Sequence, residues 1–179
     1  MKYKHIALIF AATIMTNAAQ AAERIDAVGA HNEATQAAVA TAAAADEGRE
    51  FDMFRFSQRM EKIDFVRSAM ALPADQEKKF MDIYYIYDIE LKKLHNKRLE
   101  MIKDYAAKFE NMTNADAANL SKRFFEFRKQ RTALLEKYHA KVAKALTPVI
   151  AARFGQVESL SQATTDVKIG SSLPIMPKQ

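Results

Sequence analysis

The chain has 179 residues, no cysteine, four glycines and four prolines, with 49% apolar residues and a formal net charge of +5. That length suits one domain. The missing cysteines exclude disulfides, thiolate metal sites and thiol catalysis, and so mild a positive excess does not point to nucleic acid.

Residues 1–21 read as a secretory signal. Lys2 and Lys4 make the positive start, residues 6–15 are the apolar core, and Ala19-Gln20-Ala21 is a small-x-small cleavage site. The other reading, a transmembrane anchor, needs a longer apolar run. Cleavage predicts a mature chain that begins at Ala22, has no stable membrane anchor, and drops from +5 to +3 because Lys2 and Lys4 leave. An export signal without cysteines suits the bacterial periplasm.

Residues 22–48 are Ala-rich with scattered polar residues. Alanine favours helix, but nothing large is present to anchor one, so a flexible linker or frayed helix is expected. A helical domain over residues 49–162 follows. In its first helix, over residues 49–71, Phe51, Phe54, Met60, Ile63, Val66 and Met70 give a wide apolar face. That face is expected to pack across the helices downstream.

The next stretch dominates the chain. From residue 74 to 111, Phe80, Tyr84, Tyr87, Leu91, Leu94, Met101 and Tyr105 recur in steps of four and three, with Arg98 in the one gap. This is the stripe of a helix roughly 55 Å long. Thr113-Asn114-Ala115-Asp116 resembles a capping box. A second long helix then runs to about Leu146, with Leu120, Phe124, Phe127, Leu134, Tyr138 and Val142 on its stripe and Arg131 in its gap. So short a turn makes the two helices antiparallel neighbours. Thr147-Pro148 fits the N-cap and first position of a fourth helix, over residues 148–162. The expected fold is all-α, with four helices in the mature chain: a long antiparallel hairpin and two shorter helices packed on it. Residues 163–179 read as an extended tail, either loose or with Leu173, Ile175 and Met176 docked back on the helices.

Similar phrases bracket the hairpin. Leu72-Pro73-Ala74-Asp75-Gln76 opens it and Leu146-Thr147-Pro148-Val149-Ile150 closes it. Together with the hairpin they resemble the Spy/CpxP family of periplasmic chaperone-like proteins, whose motif is L-T-x-x-Q. Leu72 and Gln76 keep the ends of that motif, with Pro73 in place of Thr. Leu146 and Thr147 keep its start, with Ile150 in place of Gln. The resemblance covers about residues 51–160 and implies a cradle-shaped homodimer that holds unfolded envelope proteins without ATP.

No catalytic set is visible, neither a Gly-rich phosphate loop nor a Ser in a nucleophile elbow. An enzyme is not expected, nor a cofactor or a bound metal. Counted from the turn, His95 and His139 lie several helical turns apart and do not share a metal within one monomer. Arg98 and Arg131 lie level with each other. They read either as snorkelling side chains or as a basic spot for acidic or unfolded polypeptide, with Glu61 or Glu126 able to neutralise one. Tyr85 and Phe125 stand beside the stripes, as do Ile86, Ile89 and Ile102. They read either as a wider buried face or as an open client-binding patch, rimmed by Lys92, Lys93, Lys97, Lys122, Arg123, Arg128 and Lys129.

The functional expectation is a periplasmic holdase for unfolded or stressed envelope proteins, with Tyr85, Phe125, Arg98, Arg128, Lys129 and Arg131 as client contacts. The alternatives are an envelope-stress regulator or adaptor that binds a sensor domain, and a periplasmic metal-binding sensor.

Overall fold

The computed structural model describes residues 33–178. The signal read over residues 1–21 and the first part of the linker lie outside the described residues. The fold is all-α. Among the described residues there are four helices: α1 (Glu33–Met70), α2 (Ala74–Lys108), α3 (Asn114–Ala145) and α4 (Pro148–Ser172), with a single 3-10 turn at Phe109–Asn111. The chain divides after Lys62 into two units. None of the described helices is long and apolar enough to cross a membrane.

The first unit narrows one expectation and corrects another. Residues 33–48, read as a flexible linker or a frayed helix, are helical as part of α1, in keeping with the high helix propensity of their alanines. Phe51, Phe54 and Met60, expected in the core, are 40%, 61% and 39% exposed. At about 100° per residue, Phe51, Met53, Phe54 and Phe56 point to several sides of the helix, and no single face gathers them. The apolar face becomes consistent only further on: Ile63, Val66 and Met70, in the second unit, are all buried.

The second unit is the hairpin with its cover. α1 ends where Ala71 takes a left-handed φ of 45°. This is a position that glycine usually fills, and alanine there costs about 1 kcal/mol. Pro73 then starts α2. At the far end the turn is tied by a reciprocal capping box. The Thr113 hydroxyl accepts the Asp116 amide at 3.1 Å, and the Asp116 carboxylate accepts the Thr113 amide at 3.4 Å. Lys108 pairs with Asp116 across the turn. Pairs Asp104–Arg123, Lys97–Gln130 and Glu90–Lys137 then fix the register of α2 on α3.

Thr147 caps α4 by accepting the Ile150 amide at 3.1 Å, with Pro148 in the first turn. From there α4 runs alongside α2 in the same direction. Its residues 158 and 166, and then Pro174 just beyond its end, meet Tyr87, Arg98 and Tyr105 in turn. This corrects a further boundary: residues 163–172, read as extended tail, are helix. Their hydroxyls bond back to their own backbone, as Thr164 does to Leu160 and Thr165 to Ser161, both at 3.0 Å. Only from Leu173 is the chain extended, at φ −99° and ψ 137°, because the following proline disfavours helix there.

Candidate functional site

The hairpin has three levels along its axis, the first two built by α2, α3 and α4 together and the third by α2, α3 and the tail. The first, furthest from the turn, is aromatic. Phe80, Tyr84, Tyr87, Tyr138 and Phe154 are each no more than 1% exposed. The Phe154 ring meets Phe80, Tyr84 and Tyr87 edge-on, with centroids 5.7, 6.2 and 5.4 Å away. Into this cluster α4 inserts Glu158, itself fully buried. Tyr84 donates its hydroxyl to Glu158 Oε1 at 3.1 Å, and Tyr87 donates to Oε2 at 2.8 Å. Burial, then the nearby carboxylate, push both phenols far above their ordinary range. Beside them Tyr138 donates to Glu90 at 2.7 Å, and burial with that contact pushes it up to about 12. Lys137, then Tyr138, hold the Glu90 carboxyl below its usual range. The cluster is packed and hydrogen-bonded, which suits cohesion rather than chemistry.

The second level is an ionic clamp. Arg98 of α2 and Arg131 of α3 fill the gaps in the two stripes, and both meet Asp166 of α4. Arg131 bonds it in fork geometry at 2.9 and 2.8 Å, and Arg98 at 2.6 Å. Both guanidinium groups also lie over the Phe127 ring, 5.5 and 5.2 Å from its centre. The arginine side chains are only 12% and 9% exposed. This corrects their reading as an open basic spot for clients, and the neutralising acid is Asp166 rather than Glu61 or Glu126. The hydrogen bond from Arg131, reinforced by Arg98, holds the Asp166 carboxyl below its usual range.

The third level, near the turn, is a groove between α2 and α3. Met101, Ile102 and Tyr105 line one side and Leu120, Ser121 and Phe124 the other. The chain's own tail occupies it. Leu173 and Met176 contribute to its lining, and Tyr105 donates its hydroxyl to the Pro174 carbonyl at 2.8 Å. The expected docking of the tail is therefore found for Leu173 and Met176, whereas Ile175 faces out at 92% exposure. Phe124, expected in the core, is 39% exposed. The tail covers this level incompletely.

The remaining predicted site residues are scattered. Tyr85 is 39% exposed beside the Arg67–Glu77 ion pair and accepts from Arg67 at 3.3 Å. Phe125, at 67%, is open to solvent, with Arg128 and Lys129 exposed one turn on. In the register of the hairpin Tyr85 lies level with Val142 and Phe125 with Ile102. That separates them by about 25 Å at 1.5 Å per residue, and they do not form one patch. His95 lies level with Thr132 and His139 with Asp88. No group of three or more potential metal ligands occurs among the described residues. The motif residues Leu72 and Leu146 pack against the aromatic level, Gln76 is half-buried, and Thr147 is a helix cap.

Sequence reasoning missed Glu158 and Asp166. The signal was present in phase: Ala151, Phe154, Glu158, Gln162 and Asp166 recur in steps of three and four, so the inward stripe of α4 continues with its apolar residues replaced by polar ones. No family model, curated protein or solved structure matches the chain.

Proposed function

We propose that this is an exported, periplasmic holdase that binds unfolded or stressed envelope proteins without ATP. One observation carries the reading. Within ten residues of α1, the five large apolar side chains Phe51, Met53, Phe54, Phe56 and Met60 are 39–68% exposed. So dense a run of exposed apolar side chains around one helix suits a binding surface, and unbranched methionines adapt to varied partners. Arg55 lies over the Phe51 ring, 5.8 Å from its centre, so charge and apolar surface are interleaved. On the hairpin, Phe125 with Arg128 and Lys129 offers a smaller surface of the same character. The resemblance to the Spy/CpxP proteins supports the same reading and adds a homodimer to it.

The test is suppression of aggregation of a chemically denatured model protein by purified protein lacking residues 1–21. Near-stoichiometric suppression without ATP is expected. Phe54→Ser with Phe56→Ser should abolish it while the thermal unfolding midpoint stays put. Absence of suppression, with tight binding to a single envelope protein, would replace the holdase by an adaptor. Stoichiometric Zn²⁺ or Cu²⁺ retained after desalting would favour the metal sensor.

A further inference from the structure

The groove near the turn already has an occupant, and that occupant shows what the groove accepts. It is extended backbone, entered at Leu173 directly from the end of α4. Its two inward side chains, Leu173 and Met176, are unbranched at Cβ, apolar and three residues apart. Its backbone is recognised at the Pro174 carbonyl by the Tyr105 hydroxyl. A carbonyl is present at every position of every peptide, so this contact carries no side-chain preference. The walls that receive the side chains include Met101 and Phe124, and methionine reshapes easily around different apolar groups. We propose that this groove is a binding site for extended, uncharged apolar peptide segments, and that residues 173–176 are its resident, displaceable occupant.

Three observations support displacement. Met176 and Phe124 remain 40% and 39% exposed with the tail in place, so the seat is incomplete. Leu173-Pro174 stops the helix by local preference, so the tail stays extended without the groove. The clamp at Asp166 holds α4 upstream of the tail, so release need not undock the helix. A tethered segment acts at an effective concentration in the millimolar range. If the free segment binds with a Kd of about 100 µM, the tail lowers the apparent affinity for an outside peptide about tenfold. The identity of the outside partner, an unfolded envelope protein, rests on the holdase reading. The groove and its occupant do not.

The test uses a fluorescein-labelled peptide with the sequence of residues 171–179, followed by anisotropy. It compares the parent chain, a chain ending at Ser172, and a full-length chain carrying Leu173→Ser and Met176→Ser, so that poor folding of the truncated chain does not decide the result. Both variants should bind the peptide about tenfold more tightly than the parent. Ile102→Glu added to the full-length variant should remove the gain. If neither variant binds better than the parent, the groove is not a peptide site and the proposal fails, whatever the aggregation assay shows. A permanently unfolded model protein is then titrated in the same way. A parallel gain joins the groove to the holdase activity. A peptide gain without a gain for the unfolded protein keeps the groove and removes unfolded clients as its partner.

Discussion

The two ends of the hairpin are built on the same helices and differ in almost everything else. Far from the turn, five aromatic rings and a buried carboxyl group pack together, each no more than 1% exposed. Near the turn, Met101, Ile102, Leu120 and the hydrogen-bonded Tyr105 surround a piece of extended chain that carries a methionine of its own, and Phe124 is 39% exposed. Aromatic rings locked edge-to-face have few alternative packings, whereas methionine-lined surfaces have many. Cohesion and adaptability are thus separated along one hairpin, with the Asp166 clamp between them.

The sharpest way to break this contrast is to truncate one ring at each end. Phe154→Ala should cost about 3–5 kcal/mol, as for a fully buried phenylalanine. Phe124→Ala should cost only about 1–2 kcal/mol, because much of its ring is already in water. Urea unfolding measures both. Equal losses would mean that the ends are equally packed.

The clamp comes next. Asp166→Ala leaves Arg98 and Arg131 nearly buried without their carboxylate. The expected cost is about 2–4 kcal/mol, below the full value for a buried pair because a third of Asp166 is open to water. Its pH dependence has a definite sign. The folded carboxyl lies below its usual range, so the stabilisation is complete above about pH 4 and is lost as pH falls through the lowered value. Glu90 acts in the same direction. Acid titration of Asp166→Asn, followed by circular dichroism, should lack the part of the acid loss that belongs to the clamp.

The smallest effect is expected at the loop that leads into the hairpin. Ala71→Gly removes the left-handed penalty and should stabilise the protein by less than about 1 kcal/mol, since glycine also loosens the unfolded chain. Destabilisation would mean that the Ala71 methyl group matters more than its φ of 45°.

The aromatic level was legible from spacing alone. Phe80, Tyr84, Tyr87, Leu91, Leu134, Tyr138 and Val142 lie on the stripes and are buried. The capping box at Thr113 and the cap at Thr147 were legible for the same reason, since local backbone needs select those side chains. The groove was legible only in part. A stripe does not reveal where its covering helix stops, so Phe124 read as core. The clamp was hidden because α4 turns polar where it turns inward. Serines and threonines that bond to their own helix look, in sequence, like a tail. The exposure of Phe51, Phe54 and Met60 was hidden differently. Each fits a helical repeat when taken with its neighbours, but the surplus of apolar residues between them spreads over every side.

The turn carries a consequence in time. α2 and α3 adjoin in sequence, and the box at Thr113 and Asp116 joins them through residues three apart. Contacts this local form early in folding. α4 and the tail follow the hairpin in sequence. The hairpin's closest contacts are therefore expected to form before the tail reaches the groove, since the Tyr105–Pro174 contact spans 69 residues.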